Sequence, residues 1–282
     1  MTHPLLILGC GYAGAALARR ARALGQPVLA TVRSPDRASL LRDEGFSVLV
    51  APTLDLSIER HVTPDTHVVI AFPPDGNTDA LVAPALASAL AITYVSSTGV
   101  YGERTGRIAH DTPLPPTPSE RAARILQAEA QYRALGATVL RCPGIYGPMR
   151  GLHMRILRGE HRIPGDGSRT LSRIHIEDLA SFILGSLALR SKAPPRTPGA
   201  TFVVGDLEPA PQIDVVRYVC DTYGVPLPPA LPWEEVHETL RADRAVDSAH
   251  AREQLGVVLR YPSYREGMAP SATGIKPRSG TH

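Results

Sequence analysis

A glycine-rich segment near the amino terminus constrains the fold more than any other feature. Gly9, Gly11 and Gly14 form a Gly-x-Gly-x-x-Gly motif between an apolar run and an alanine-rich stretch, an order that predicts strand, tight turn and helix. In a dinucleotide site the first glycine permits the turn, the second admits the pyrophosphate and the third allows close helix packing. We therefore expect a cofactor at this turn, with Tyr12 and Ala13 at the helix N-terminus that faces the phosphates. The alternative is a helix start without a ligand.

The end of the next apolar run indicates which dinucleotide binds. An acid about twenty residues after the glycines favours NAD, and a base favours NADP. Here the run Val28–Val32 ends at Arg33, which together with Arg37 can neutralise a 2′-phosphate. Ser34 and Pro35 have the pattern of a helix N-cap followed by the first helical residue. Asp36, which comes next, is therefore interpreted as stabilising the start of that helix rather than as a ribose contact. The sequence favours NADP over NAD, the alternative being an ordinary exposed arginine at position 33.

Composition and charge exclude several classes of protein. The 282 residues can bury a sizeable core, and the formal charge of +3 comes from 30 basic residues mixed with 27 acidic ones. This balance does not indicate a nucleic-acid partner. No apolar run reaches membrane-spanning length and no basic leader precedes the first strand, so we expect a cytoplasmic protein without a membrane partner. The three separated cysteines indicate a reducing compartment and no metal site.

Apolar strands alternate with helical stretches through the first half of the chain. The predicted strands after the first two are 47–50, 67–72, 92–96 and 138–141, and the predicted helices include 37–44, 77–90 and 119–135. This βαβ alternation predicts an α/β fold with a doubly wound parallel sheet. Ligands of such sheets bind beyond the carboxyl ends of the strands. Those ends carry Gly9, Arg33, Phe72, Pro73, Ser96, Ser97 and Thr98.

The alternation fails from about residue 149, where proline, glycine, arginine and histidine become frequent. One more apolar helix is predicted at 176–189 and one more strand at 201–204, and 192–199 is a proline-rich connection. We expect residues 1–148 and 174–204 to form a dinucleotide-binding domain. Residues 149–173 and 205–268 are expected to form a small substrate-binding lobe. Residues 269–282 are expected to be a disordered tail.

Five segments, spread over nearly the whole chain, carry a family resemblance. They are, in order, GCGYAG (9–14), YVSSTGVYG (94–102), LRCPGIYGP (140–148), SRIHIEDLA (172–180) and LGVVLRYPSYREG (255–267). Together they resemble the extended short-chain dehydrogenase/reductase superfamily, in its NAD(P)-dependent epimerase/dehydratase branch. The similarity is greatest to atypical members described as nucleoside-diphosphate-sugar epimerases. The resemblance implies a Rossmann-type fold with helices on both faces and an interleaved C-terminal substrate lobe.

The resemblance also assigns roles to individual residues. Ser97 matches the family serine that hydrogen-bonds the reacting substrate oxygen, and Thr98 adjoins it. The residues alone leave another interpretation open, in which Ser96 and Ser97 end a strand and bond to local backbone. Pro143 to Tyr146 resembles the segment that lines the nicotinamide, although Tyr146 is equally interpreted as a packed ring. His175 and Asp178 match a family signature that is largely architectural. We interpret these two residues as a helix cap and a core hydrogen-bonding group rather than as catalytic residues.

The family's Tyr-x-x-x-Lys pair is absent from this chain. Alignment on Glu129 puts Arg121 at the tyrosine position and Ile125 at the lysine position, and neither Lys192 nor Lys276 follows a tyrosine by four residues. A tyrosine without the lysine has a pKa near ~10 and is a poor base at neutral pH. Arg121 stays protonated and cannot replace it, but an arginine there can hold a phosphate or carboxylate.

Candidate replacements for the acid or base lie near the strand ends. Tyr101, Glu103, Glu120 and Tyr146 are the titratable residues there, and none stands out from the sequence. Arginines in glycine-flanked loops indicate diphosphate binding, with ordinary solvated arginines as the alternative. Trp233 is interpreted as a packing anchor. The predicted catalytic residues are Ser97, Tyr146 and Tyr101; the predicted cofactor contacts are Gly9, Gly11, Tyr12, Ala13, Gly14, Arg33, Ser34, Arg37, Phe72, Pro73, Ser96 and Pro143; the predicted substrate contacts are Thr98, Arg121, Arg150, Arg169 and Arg173.

Two functions of different class fit these features. One is an NAD(P)-dependent enzyme that acts on a nucleotide sugar or a related carbonyl or alcohol with an altered acid–base set. The other is a catalytically inactive NADP(H)-binding sensor or scaffold, which the missing Tyr-Lys pair favours. Ser97 and the substrate lobe favour the enzyme, because a sensor has no need of them. We expect a small-molecule partner, and a homodimer is a possible assembly.

Overall fold

A computed structural model describes residues 2–193, 197–237, 241 and 243–271. The strands in chain order are β1 (Leu5–Leu8), β2 (Val28–Val32), β3 (Ser47–Val50), β4 (His67–Ile70), β5 (Ala91–Ser97), β6 (Gly106–Ile108), β7 (Thr138–Cys142), β8 (Gly144–Tyr146), β9 (Ile163–Pro164), β10 (Thr170–Leu171), β11 (Arg173–His175), β12 (Thr201–Val203), β13 (Ala210–Pro211), β14 (Ala230–Leu231) and β15 (Arg244–Val246).

Helices connect and cover these strands. The α-helices are α1 (Tyr12–Ala23), α2 (Pro35–Asp43), α3 (Thr78–Val82), α4 (Glu120–Ala134), α5 (Leu152–Leu157), α6 (Ile176–Ser191), α7 (Gln212–Tyr223), α8 (Ala249–Leu255) and α9 (Tyr264–Ser271). Short 3₁₀ helices occupy Leu56–His61, Ala83–Leu86, Thr98–Tyr101 and Trp233–Glu235.

The central sheet has seven parallel strands in the order β12-β7-β5-β4-β1-β2-β3. The strand order reverses beside β1, which lies between β2 and β4, so the chain winds outward in both directions from the first strand. This topology confirms the Rossmann-type doubly wound sheet. It also places the carboxyl ends of β1, β2, β4, β5 and β7 along one edge, where ligands of this fold bind.

The two faces of the sheet are buried under separate helical layers. Leu5 and Ile7 of β1 pack in the cluster that holds the buried side chains of α1, α2 and α6. Leu6 and Leu8 point the other way, into the cluster formed with α3, α4 and the adjoining 3₁₀ helix. Alternate residues of a strand point to opposite faces, which explains why a strand covered on both sides reads as a continuous apolar run.

The helix predicted at 77–90 is the main difference in the first half of the chain. It is divided into α3 and the 3₁₀ helix Ala83–Leu86, with Pro84 at the start of the second part. Proline has no N–H to donate to the preceding turn and its ring crowds that turn, so an α-helix cannot pass through it undisturbed. The strand predicted at 201–204 is β12, which pairs with β7 at the edge of the sheet.

Short paired strands that the alternation did not predict lie mostly in the second half, and one of them, β6, lies in the first. β8 pairs with β11, β9 with β14, β10 with β13 and β6 with β15. A separate apolar cluster joins Tyr146, the inner face of α7 and two residues of α9, Tyr264 and Met268. These elements lie largely in the segments assigned to the substrate lobe, and the domain boundaries themselves stay a prediction.

Helix α9 extends into the segment that the sequence analysis assigned to the tail. Helix α9 continues to Ser271, three residues into the segment expected to be disordered, and 272–282 lie outside the described residues. Cys10, Cys142 and Cys220 are free and buried. Within the described ranges, no helix combines the length and apolar character needed to cross a membrane.

Candidate functional site

The glycine turn has the geometry that a dinucleotide requires. Gly9 adopts a left-handed φ of +86°, and a Cβ there would lie 2.8 Å from the backbone nitrogen of Phe72. Gly14 packs tightly, since a Cβ on it would lie 3.0 Å from the Gly9 carbonyl oxygen and from Cγ2 of Ile7. Gly11 differs, because no atom lies within 4 Å of the position of its missing Cβ. The first and third glycines therefore serve the fold, and the second leaves open space beside the backbone.

The N-terminus of α1 faces this open space without a competing group. Its first intrahelical bond runs from the Ala15 nitrogen to the Gly11 oxygen (3.0 Å), so the N–H groups of Tyr12, Ala13 and Gly14 have no partner within the helix. No side chain caps the helix and its first turn carries no acid. Unpartnered N–H groups and the positive end of the helix dipole favour an anion here. These residues fit the pyrophosphate of a dinucleotide.

The turn is fixed from β2. Thr31 is 1% exposed, and its Oγ1 accepts a hydrogen bond from the Gly9 nitrogen at 3.0 Å. The Cys10 nitrogen donates to the Thr31 carbonyl at 2.7 Å. Sequence reasoning missed Thr31; the available signal was a polar residue inside an apolar strand.

Arg33 lies exposed at the carboxyl end of β2, one strand away from the glycine turn. Among the described residues it has neither an ion pair nor a side-chain hydrogen bond. Helix α2 begins as expected: Ser34 accepts a hydrogen bond from the Arg37 nitrogen at 3.3 Å, and Asp36 lies in the first turn beside the helix dipole. Arg33 is thus a guanidinium available for an anion at this edge.

The other strand ends bring further predicted contacts to the same edge. Phe72 and Pro73 follow β4, and Phe72 packs against Gly9. Ser97 ends β5, Thr98 begins the next 3₁₀ helix, and Pro143 follows β7. The neighbouring positions of β1, β2, β4, β5 and β7 in the sheet bring these residues together, although they are scattered in the sequence.

Ser97 is half-buried, and its hydroxyl is engaged on one side only. Its Oγ accepts a hydrogen bond from the Gly99 nitrogen at 3.0 Å and caps the 3₁₀ helix Thr98–Tyr101. This is the local backbone bond expected of a serine that ends a strand. Accepting this bond leaves the hydroxyl proton free to be donated, so the same serine can also bond a ligand oxygen.

Ser96 and Tyr101 belong to a buried network instead. Ser96 donates to Oε1 of Glu129 at 2.6 Å, and Arg141 contacts Glu129 through Nε and Nη2 at 3.0 and 2.7 Å. Arg141 Nη1 also donates to the hydroxyl oxygen of Tyr101 at 3.1 Å, and Tyr101 has no exposed surface. The side chains of Ser96 and Tyr101 therefore stabilise the contact of α4 with β5 and β7 rather than facing the glycine turn.

Tyr146, the other tyrosine predicted to be catalytic, is also inside the protein. It is 2% exposed, and its hydroxyl donates to the Ser263 carbonyl at 3.2 Å. A Cβ on Gly267 would overlap its ring, which shows how closely α9 covers it. Burial raises the pKa of Tyr146 above its ordinary value. This environment matches the packed ring considered as the alternative and makes the hydroxyl a poor proton donor to an external ligand.

The helix face that carries Tyr-x-x-x-Lys in the resembling family is chemically different here. Arg121 is exposed on the first turn of α4, and Ile125, one turn later, is 5% exposed. Ile125 packs with Val100 and Tyr101 of the 3₁₀ helix that follows β5. The position that aligns with the lysine is therefore apolar and filled by packing.

A tight loop after β8 brings Arg150 to the glycine turn. Gly147 and Arg150 exchange two backbone hydrogen bonds, of 3.0 and 3.1 Å, across Pro148 and Met149. Met149 has a φ of +64°, an unusual conformation for a residue with a Cβ, and strain of this kind is common at ligand sites. Tyr12 donates its hydroxyl to the Pro148 carbonyl at 3.0 Å, and the Arg150 guanidinium lies 5.1 Å from the centre of the Tyr12 ring.

Tyr12 is held by this loop, with its hydroxyl proton donated to the Pro148 carbonyl. Burial raises its pKa to about 12, although the charge of Arg150 acts in the opposite direction. A Cβ on Gly147 would lie 2.8 Å from the Tyr12 hydroxyl oxygen, so only glycine permits this approach. The loop and the start of α1 therefore form one surface, with Arg150 exposed on it.

The other predicted substrate arginines are not equivalent. Arg169 lies 4.3 Å from the centre of the Trp233 ring and donates to the Arg241 carbonyl at 3.0 Å. Arg173 is 5% exposed beside Tyr264 and Asp206, and burial lowers its pKa. Arg173 therefore faces the protein interior, whereas Arg121 and Arg150 are exposed and Arg169 is half-buried.

His175 and Asp178 make the capping and core hydrogen bonds that the sequence analysis assigned to them. His175 caps α6 by accepting a hydrogen bond from the Glu177 nitrogen at 3.3 Å. Asp178 accepts from the Arg260 and Tyr261 nitrogens at 2.7 and 3.0 Å, which fixes the segment before α9. Burial raises the pKa of Asp178, and these backbone hydrogen bonds act in the opposite direction.

Comparison with known proteins extends this description. No family model and no curated protein matches the sequence. A structure of a conserved protein of unknown function from Silicibacter pomeroyi DSS is 31% identical, covers 98% of this chain and 100% of its own, and superposes with a TM-score of 0.81.

Two further structures carry functional names. A Methylobacillus flagellatus protein, whose name proposes an NAD-dependent epimerase/dehydratase, is 28% identical over 96% of this chain and 97% of its own, with a TM-score of 0.73. UDP-glucuronic acid 4-epimerase from Bacillus cereus, solved in complex with NAD, is 17% identical over 94% of this chain and 96% of its own, also at 0.73. At 17% identity the likeness shows the fold alone.

Proposed function

Because the chain belongs to the extended short-chain dehydrogenase/reductase superfamily, we propose that it binds NADP(H) and acts slowly on a nucleotide sugar or related carbonyl or alcohol. The observation that carries the cofactor part is the open space beside Gly11 at the uncapped N-terminus of α1. Arg33 supports NADP over NAD, because its guanidinium has no partner among the described residues and follows β2, where a cation favours a 2′-phosphate in this fold.

Each group at the strand ends has a defined task in this proposal. The first N–H groups of α1 bind the pyrophosphate, and Arg33 binds the 2′-phosphate. Ser97 donates its free hydroxyl proton to the reacting oxygen of the substrate while Gly99 holds its Oγ in place. When bound, the nicotinamide supplies the hydride donor or acceptor of the reaction.

The substrate class is inferred from the arginines and from the neighbours. Arg150 and Arg121 are exposed and can meet the two phosphates of a nucleotide sugar. Structures of similar fold are named as complexes with UDP-glucose and NAD, and with UDP-glucuronic acid and NAD. These observations support a nucleotide-sugar ligand and leave the identity of the sugar to experiment.

Among the residues that the structure describes, the site has no group well placed to act as the acid or base of the reaction. Ile125 occupies the lysine position, and Tyr101 and Tyr146 both have buried, hydrogen-bonded hydroxyls. Without a positioned acid or base the reaction loses about 10²–10⁴-fold in rate. These same residues favour the second candidate, an NADP(H)-binding protein without catalysis.

Binding and turnover measured on one preparation separate the two functions. Calorimetric titration with NADPH, NADH and UDP-glucose measures the ligands, and steady-state assays over a panel of nucleotide sugars measure turnover. The enzyme proposal expects NADPH and UDP-glucose to bind and a slow, protein-dependent turnover. NADPH binding without nucleotide-sugar binding or turnover would establish the sensor, and absence of NADPH binding would overturn both.

A further inference from the structure

A second cleft lies at the opposite edge of the central sheet from the glycine turn. It encloses about 700 Å³ and is formed where β1, β2 and β3 begin, with the 3₁₀ helix Leu56–His61 along one side. Ligand pockets in proteins typically have volumes of about 300–1,000 Å³. The strands of the sheet are parallel, so this amino-terminal edge is separated by their length from the edge that carries the cofactor contacts.

The charged groups that line this cleft are all basic. Arg22, Arg60 and His61 line it, and no lining residue in the described part of the chain is acidic. The nearby carboxylate of Glu44 is already engaged by Arg19, through two contacts of 2.7 Å. Unbalanced positive charge in a concave, partly enclosed surface attracts anions more strongly than the same charge on a flat surface.

The three basic side chains of the cleft differ in their contacts with the rest of the protein. Arg22 lies 4.2 Å from the centre of the Phe46 ring and donates to the Glu44 carbonyl, so its guanidinium is oriented before any ligand arrives. Arg60 is exposed and has no ion pair or side-chain hydrogen bond among the described residues. His61 has a buried Nε2 without a hydrogen-bond partner in the same part of the chain. His61 lines the cleft, but its Nε2 has no accessible surface, so a ligand supplies the missing partner only after the ring rotates.

Four uncharged polar residues, Gln26, Ser47, Thr63 and Thr66, also line the cleft, and the rest of the lining is apolar apart from Gly45. Leu29 and Val28 at the start of β2 are half-buried, and Phe46 is 6% exposed beside them. A largely apolar lining with a few polar groups is the usual composition of a small-molecule site. It favours a ligand with a hydrophobic body over a simple inorganic anion.

We propose that this cleft is a second ligand site, which binds a small organic anion consisting of a phosphate or carboxylate on an apolar body. Arg60 and His61 contact the anionic group, Arg22 contributes a fixed positive charge, and Leu29 and Phe46 contact the body. The site is independent of the dinucleotide, because no residue of the glycine turn lines it.

Calorimetry with 1-naphthyl phosphate tests the site on the full chain, with saturating NADP⁺ present to occupy the glycine turn. One molecule is expected to bind per chain, and inorganic phosphate is expected to bind at least tenfold more weakly because it lacks the apolar body. Arg60→Ala should weaken 1-naphthyl phosphate about tenfold through loss of a charge-assisted contact. Ser47→Glu, which puts a carboxylate into the exposed lining, should weaken it similarly without removing a basic group.

Arg104→Ala is the matched control, because Arg104 is also exposed but does not line the cleft. It should leave the affinity unchanged, and circular dichroism should show that all three variants fold. The proposal is overturned if 1-naphthyl phosphate does not bind, if NADP⁺ displaces it, or if Arg60→Ala and Ser47→Glu bind it as tightly as the natural sequence.

Discussion

Glu129 on α4 and Arg141 on β7 form a two-point ion pair inside the protein, with nitrogen–oxygen distances of 3.0 and 2.7 Å. Their side chains are 3% and 9% exposed. Glu129 also accepts the hydroxyl of Ser96, and Arg141 also donates to Tyr101. The pair therefore fixes α4, the helix that carries Arg121 and Ile125, against the strands whose ends form the candidate site.

Breaking this pair on one side should destabilise the protein strongly. Glu129→Gln leaves the Arg141 charge buried without its counter-ion, which costs about 3–5 kcal/mol in free energy of unfolding. Urea denaturation followed by circular dichroism measures the loss. The double variant Glu129→Gln/Arg141→Met should be more stable than Glu129→Gln alone, because no unpaired charge remains.

An exposed ion pair on the same helix provides the comparison. Arg124 and Glu120 lie 3.7 Å apart with Glu120 88% exposed, so Glu120→Gln should change stability by less than about 1 kcal/mol. Equal losses in Glu120→Gln and Glu129→Gln would contradict the role assigned to the buried pair.

Gly11 and Gly14 should respond oppositely to substitution. Gly11→Val should fold, since nothing lies within 4 Å of the new Cβ, although the ψ of −141° at this position adds some backbone strain for a β-branched residue. The added side chain occupies the space proposed for the pyrophosphate, so NADPH binding should be lost. Gly14→Ala should lower thermal stability, because its Cβ would meet backbone and Ile7 at 3.0 Å. Normal NADPH binding by Gly11→Val, measured by calorimetry, would show that this turn does not hold the cofactor.

Arg33 should determine the choice of cofactor. A charge-assisted contact with the 2′-phosphate is worth roughly 1.5–3 kcal/mol, so NADPH should bind more than tenfold more tightly than NADH. Arg33→Asp should reverse this order, because a carboxylate repels the phosphate and can accept the ribose hydroxyls of NADH. Titrations of both cofactors against both proteins give the four affinities. Equal affinities of the natural sequence for NADPH and NADH would count against the assignment.

The sequence predicted the sheet more closely than it predicted the site. The strands of the first half could be identified because each is a short apolar run between turn signals, and β3 has the expected limits of residues 47 and 50. β9 and β14 contain two residues each and pair across a long separation in the chain. No periodicity exists in two residues, so such strands depend on tertiary contacts that a local pattern does not contain.

The neighbouring serines show the same limit at the level of side chains. Successive residues of a strand face opposite sides, so the sequence predicts that Ser96 and Ser97 differ but does not say which one faces the helix. Glu129 decides this by accepting the Ser96 hydroxyl. Likewise, the sequence placed Tyr101 and Tyr146 near the strand ends, but their burial depends on Arg141 and on α9, which approach from elsewhere in the chain.

Four buried histidines should make the protein sensitive to acid. Burial lowers the pKa values of His67, His153, His161 and His175 from 6.5 to about 4. Between these values the unfolded chain binds protons that the folded protein does not, so stability falls as the pH decreases from about 6.5 towards 4. By pH 5 each histidine contributes up to about 2 kcal/mol to the loss.

Asp79, Asp178 and Asp206 oppose this effect, because burial raises their pKa values, but the four histidines outnumber them and only at Asp206 is the shift large. Burial raises the pKa of Asp206 from 3.8 to about 7, so its contribution to stability decreases as the pH rises from about 4 to 7. The net expectation is a free energy of unfolding that is lower at pH 5 than at pH 7.5, measured by urea denaturation. His161→Gln should reduce this difference, and Arg162→Gln, an exposed neighbour that does not titrate in this range, should not. Stability that is independent of pH would contradict the neutral state of these histidines.

Ser97 should carry the residual catalysis. Turnover of UDP-glucose should be slow because the site lacks the tyrosine and lysine of its family. Ser97→Ala should lower kcat by a further factor of roughly 10²–10³, which is the usual effect of losing an oriented hydrogen-bond donor. The same substitution removes the bond from the Gly99 nitrogen, at a cost of about 1 kcal/mol in stability, so folding must be checked separately. Ser97→Thr keeps the hydroxyl and should recover most of the activity.

A catalytic role of Ser97 predicts a fall in kcat with little change in NADPH affinity, whereas a purely structural role predicts that kcat and NADPH affinity decline together with stability. Rapid turnover that persists in Ser97→Ala would remove Ser97 from the reaction and return attention to Tyr101 and Tyr146.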